Sequence, residues 1–171
     1  MAGGINIVQS HSIIRYLARK HGFNGSNEQE AVAIDVLSEG ILDFMMGYVK
    51  AKFYTEESKR DAEVQKFLTE AFPKHVAHFQ RALEHNHGGN GTVSFLLLQA
   101  RLTDMILHEG FFVGDKVSYA DLRFFVVIKM MQDSDKDLLA KLPSSLAGLY
   151  NRVNDLPNIK KYYASEPYKT Q

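Results

Sequence analysis

Nine residues, Gly114-Asp-Lys-Val-Ser-Tyr-Ala-Asp-Leu122, constrain this chain more than any other stretch. Ser118 and Asp121 stand three apart in front of an apolar run. The serine hydroxyl at such a position accepts from the N–H of the third helical residue, and the aspartate carboxylate reaches back to the serine N–H. Val117 and Leu122 take the two positions of a hydrophobic staple. The run that follows, Tyr119 to about Met131, is apolar almost all round, which predicts a helix buried at the centre of the molecule. A buried central helix needs other helices to cover it.

The remaining pattern supplies them. Ile13, Ile14, Leu17 and Ala18 form one helical face, Ser10 stands where it can cap that helix, and Gly22 stands where a helix ends. Ser26 or Asn27 starts a long helix, with Glu28 and Glu30 near its positive end. Its stripe is Ile34, Leu37, Ile41, Phe44, Met45 and Tyr48. A third helix is expected from about Glu57 to Glu84, carrying Val64, Phe67, Leu68, Phe72, Val76, Phe79 and Leu83. Pro73 inside that pattern predicts a kink or a break. Further helices start near Pro143 and Pro157. Ile5-Asn-Ile-Val8 alternates weakly and reads as a single strand. His87-Gly-Gly-Asn-Gly91 is a loop. The fold expected is mainly α: a helical bundle preceded by one strand.

Composition removes several classes of function. Twenty basic and twenty acidic residues cancel, so there is no electrostatic footprint for nucleic acid or an anionic membrane. No apolar stretch approaches the ~20 residues of a membrane span. The start, Met1-Ala-Gly-Gly, does not look like a secretory signal. Zero cysteines among 171 residues exclude disulfides and thiol catalysis within these residues, and fit a cytoplasmic location. Asn24-Gly-Ser26 and Asn90-Gly-Thr92 match a glycosylation sequon and are read as loop positions. His75 and His78 lie one turn apart, but no third ligand completes the set at a telling spacing, so no metal site is expected.

Three segments in order, Gln9-Ser10 with its amphipathic helix, Ala33-Ile-Asp-Val-Leu-Ser-Glu-Gly-Ile-Leu-Asp43, and the Gly114 to Asp121 box, resemble the cytosolic glutathione transferases, nearest their alpha/sigma-like branch. The resemblance covers nearly the whole chain. It implies that residues 1–22 are the last strand and helix of a thioredoxin-like domain, truncated here, and that residues 26–171 are the all-helical C-terminal domain. Residues 92–109 interrupt the family pattern. They read either as an inserted amphipathic helix or as foreign sequence.

The resemblance also assigns roles. Gln9 and Ser10 would hold the γ-glutamyl carboxylate of glutathione, the co-substrate; outside the family context Ser10 is a plain helix cap. Asp43 would reach across a homodimer to the amine of the neighbour's glutathione, unless it is simply one of several acids on a solvated face with Asp35 and Glu39. Met46, Val49, Lys50 and Phe53 lie where the family builds its pocket for a small electrophile, although an apolar stripe at helical spacing is more often core. The residue that activates the glutathione thiol would lie upstream of Met1. Tyr16, on the helix after the Gln-Ser pair, does not replace it. Stabilising a thiolate needs such a donor, so conjugation by these residues alone is expected to be impaired. The alternatives are a non-catalytic docking module and a crystallin-like structural homologue.

Overall fold

The computed structural model describes residues 6–86 and 110–165, and every regular element among them is a helix. The loop at 87–91, the sequon at Asn90 and the interruption at 92–109 lie outside the described residues.

Asn6, Ile7 and Val8, three of the four residues read as a strand, form no strand. Extended backbone becomes a strand only by pairing its N–H and C=O groups with a neighbour, and no other described segment offers a ladder. The chain enters helix α1 (Ser10–His21) directly and leaves it through Gly22, whose φ of 77° is left-handed, with the Phe23 N–H returning to the Ala18 carbonyl at 2.8 Å. That ending is the one the glycine foretells.

Helix α2 (Glu28–Phe53) begins at Asn27, whose side chain accepts from the Glu30 N–H at 2.9 Å. The Glu30 carboxylate answers by accepting from the Ser26 N–H at 2.6 Å. Acids in the first turn and Lys50 and Lys52 in the last oppose the helix dipole correctly. Ile34, Ile41, Phe44 and Tyr48 are fully buried, and Leu37 and Met45 pack at the core's edge.

The long helix expected after Glu57 is divided. Helix α3 (Glu57–Lys66) passes through a π-helical turn, Phe67–Ala71, into helix α4 (Phe72–Asn86). Pro73 has no N–H to give, and its ring crowds the carbonyl four residues back, at Thr69. Widening the preceding turn relieves that crowding without ending the helix. All seven apolar residues expected on this stretch are buried. They build an aromatic cluster in which Phe44 meets Phe67 and Phe72 at 5.8 Å and Phe79 at 5.6 Å between ring centroids. Phe79 extends the cluster to Phe124, at 5.8 Å.

Phe124 belongs to helix α5 (Tyr119–Met131), the central helix, where the capping box is complete. Asp121 is buried. One carboxylate oxygen accepts from the Ser118 N–H at 2.7 Å and the Ser118 hydroxyl at 2.6 Å; the other accepts from the Phe112 N–H at 2.8 Å. The box therefore ties the segment entering from Gly110 to the helix start. Gly114 makes that segment's turn at a φ of 68°. A 3-10 turn (Leu138–Lys141), helix α6 (Ser144–Asn154) and helix α7 (Pro157–Tyr163) follow, the last with Pro157 at its first position. α5 packs chiefly between α2 and α6.

Candidate functional site

An apolar groove of about 570 Å³ runs between α1, α2 and α5. Ile14, Leu17 and Ala18 form one wall, Leu42 and Met45 another, and Leu122, Val126 and Val127 a third. Polar groups gather along it: Ser10 and His11 from the start of α1, Tyr119 and Arg123 from α5.

The start of α1 differs from a plain cap. Helical geometry begins at Ser10 itself, so Ser10 is the first helical residue and Gln9 occupies the cap position, correcting the sequence reading. Gln9 has φ 71° and ψ 121°, and is the one non-glycine residue with positive φ among those described. Such a conformation costs on the order of 1–3 kcal/mol and persists where surroundings over-determine it, often at ligand clamps. No side chain caps the helix and its first turn holds no acid. The first intrahelical bond runs from the Ile13 N–H to the Gln9 carbonyl, at 3.1 Å. The N–H groups of Ser10, His11 and Ser12 therefore open outward beside the Ser10 hydroxyl. This end of α1 suits an anion.

A polar network holds α1 against α2 and α5. Arg15 donates to Glu39 at 2.5 Å and lies 3.4 Å from Asp35. His11 Nδ1 is 3.1 Å from the same Glu39 oxygen. The Tyr119 hydroxyl donates to Asp35. Burial and that carboxylate push the Tyr119 phenol up to about 12. Arg123 donates to the Ser38 carbonyl at 2.9 Å, and its burial draws its pKa down from the usual value. The Tyr119 N–H donates to the Phe23 carbonyl at 3.0 Å, joining the exit of α1 to the start of α5. Sequence reasoning missed this network. Its bonded partners stand 20 to 96 positions apart, beyond the reach of any local pattern.

Asp35 and Glu39 are thus occupied, whereas Asp43 is exposed and has no ion pair among the described residues. Met46 and Phe53 are exposed, Val49 is half-buried and Lys50 is exposed; the four share a face of α2 by their spacing. None of them, nor Asp43, lines the groove, and neither does Tyr16, half-buried on α1. The groove is completed from α2 by Leu42 and Met45 instead. His75 is half-buried with its ring 5.2 Å from that of Phe44, and burial draws its pKa down. Among the described residues no group of three potential ligands gathers for a metal ion.

The fold agrees with what comparison finds. Residues 42–166 match the family described as glutathione S-transferase, C-terminal domain, and the chain belongs to the glutathione S-transferase family. It is 32% identical to glutathione S-transferase 2 of Onchocerca volvulus over 160 residues, 94% of this chain and 65% of that protein. It is 33% identical to glutathione S-transferase P 10 of Caenorhabditis elegans over 159 residues, 93% of this chain and 63% of that protein. The chain thus spans just under two thirds of the length of these relatives. The structure of a pi-class glutathione S-transferase from Onchocerca volvulus superposes with a TM-score of 0.74 at 28% identity, over 98% of this chain and 69% of that one. A prostaglandin synthase D of Nilaparvata lugens, 24% identical with a TM-score of 0.73, shares the fold over 96% of this chain and 71% of its own. Relatives named both P and A match, so the likeness shows the family and not a branch.

Proposed function

We propose that these residues form the glutathione-carboxylate edge and the electrophile-facing helical domain of a glutathione transferase that works as a cytoplasmic homodimer. In this reading residues 1–22 belong to the glutathione-binding unit and residues 26–171 to the helical one. The observation that carries it is the start of α1: strained Gln9, then three unbonded N–H groups and the Ser10 hydroxyl at a positive helix end. A carboxylate of glutathione fits there. Asp43, free of the network that occupies Asp35 and Glu39, is available to the amine of a glutathione held by the partner subunit. The stripe of exposed Met46, Lys50 and Phe53 with half-buried Val49 suits a small apolar electrophile.

The reaction is attack by the glutathione sulfur on the electrophile, and it needs a donor that stabilises the thiolate. Tyr119 is a poor candidate, since its hydroxyl is committed to Asp35 and its pKa is pushed up to about 12. Tyr16 does not line the groove. The 171-residue chain is therefore expected to bind without measurable conjugation of ordinary electrophiles. Glutathione titration followed by NMR tests the binding half. Ser10→Ala removes a bond to a charged group, about 1.5–3 kcal/mol, or roughly ten- to a hundredfold in affinity. Equal binding by the parent chain and Ser10→Ala would sink the reading. Robust turnover abolished by a substitution within residues 1–171 would overturn the expected lack of conjugation.

A further inference from the structure

A second cavity, about 480 Å³ and polar, opens far from the α1 groove, where the end of α2, helix α3 and the turn after α5 meet. Lys52 and Arg60 line it, and so do Asp61 and Asp133. Two cations and two carboxylates around one hollow normally neutralise one another. Here none of the four joins an ion pair: those formed among the described residues involve other groups. Lys52 Nζ donates to the Ser134 hydroxyl at 2.7 Å, which the Tyr48 hydroxyl meets from the other side at 2.6 Å. Ser134 holds the ammonium in place, 5.7 Å from the ring centroid of Tyr48 and 5.9 Å from that of Phe53, and no carboxylate among the described residues pairs with it. Arg60 Nε is buried and has no hydrogen-bond partner. That nitrogen lies out of a ligand's reach, so the guanidinium meets the cavity through its terminal N–H groups, which no hydrogen bond or ion pair among the described residues occupies.

The four charges select the ligand's chemistry. An oxyanion satisfies the guanidinium and the ammonium together, with arginine giving planar, directional bonds. The two carboxylates would repel a dianion such as phosphate and instead favour a positive group on the same molecule. The buried side chain of Val64 supplies an apolar wall, and the volume lies within the range of small-molecule sites. We propose that this cavity binds a small zwitterion of amino-acid or dipeptide type, its carboxylate between Lys52 and Arg60 and its ammonium toward Asp61 and Asp133.

The test is an NMR titration of the full chain with L-alanyl-L-alanine, alongside N-acetyl-L-alanine, acetate and inorganic phosphate. The dipeptide should give saturable shifts confined to the cavity lining. The acetylated analogue, which lacks the ammonium, should bind at least tenfold more weakly, about 1.4 kcal/mol. Arg60→Gln should weaken the dipeptide by a similar factor. Asp61→Asn, at an exposed position, should weaken the dipeptide and leave acetate unchanged or stronger. If circular dichroism shows Arg60→Gln unfolded, Asp61→Asn alone decides the question. Phosphate binding more tightly than the dipeptide overturns the proposal. So does an absence of saturable shifts, or dipeptide binding that both variants leave untouched.

Discussion

Ser118 and Asp121 do unequal work although the capping motif presents them as a pair. The Ser118 oxygen lies 3.5 Å from the Asp121 N–H, a long contact, whereas the Asp121 carboxylate takes three donors at 2.6 to 2.8 Å. Ser118→Ala should therefore cost about 1 kcal/mol, the middle of the range for a lost cap. Asp121→Ala should cost more, because it strands two buried N–H groups. Denaturant midpoints of the two variants check the order, and equal losses would contradict it. Burial also raises the Asp121 pKa above its ordinary value of 3.8, outweighing the hydrogen bonds that pull it down. A carboxyl with a raised folded pKa contributes stability that is fully present below the unfolded value and declines as pH climbs through the folded one. Asp121→Asn should remove that decline. A difference between parent and variant that grows in the parent's favour as pH rises would refute the assignment. The cap was legible in the sequence because its chemistry is local. The strain at Gln9 was not, since a backbone angle depends on what holds the flanking residues. Nor was the tie from Asp121 to Phe112, which depends on a loop folding back.

At the scale of elements, two glycines of α2 discriminate between propensity and packing. Replacing a mid-helix glycine by alanine gains about 1 kcal/mol from propensity. At Gly47, however, a Cβ would lie 2.8 Å from the ring of Phe67, on the π turn. Phe67 is buried beside Phe44 and Tyr48 and has little room to yield. Overpacking of this kind costs about 1–3 kcal/mol, so Gly47→Ala should be net destabilising. At Gly40 the nearest ring atom, on Phe79, is 3.9 Å away, an ordinary contact, so Gly40→Ala should be neutral or stabilising. Gly47→Ala should lower the thermal midpoint and Gly40→Ala hold or raise it; an unchanged or raised midpoint for Gly47→Ala would mean the α2–π-turn contact is looser than drawn. The sequence foretold the α-helices through apolar stripes in the first part of the chain and through Pro143 and Pro157 for the last two, but not the 3-10 turn Leu138–Lys141; Pro73 marked where the third would deform. It did not foretell that the deformation would be a widened turn. Relief of one crowded carbonyl leaves no trace in the spacing of side chains. The strand read at residues 5–8 is absent at its described residues, 6–8, for the converse reason, since a short alternation defines a strand only when a partner is present.

For the molecule as a whole, the groove between α1, α2 and α5 is lined mostly by apolar side chains. Leu17 and Val126 in its walls are 44% and 53% exposed, and Ile13 on the same helix as Leu17 is 39% exposed. Helix α1 is held to the bundle by the polar network around Arg15, Asp35 and Glu39 and by Ala18 and Ile14 packed on the core, while Ile13 and Leu17 stay exposed. An apolar surface gains roughly 25 cal/mol for each Å² removed from water, and contiguous exposed patches usually seek a partner. Screening by salt weakens charge contacts between molecules at their surfaces and leaves this gain intact. The 171-residue chain should therefore self-associate, and added salt should not disperse it. Light scattering at rising concentration checks the first point, and repetition in high salt the second. Leu17→Lys, which places a charge on the exposed face of α1 without entering the core, should shift the equilibrium toward monomer. A monomer stable at high concentration would mean that α1 covers its own apolar face in solution. Association abolished by salt would assign the contact to charged groups instead of the groove.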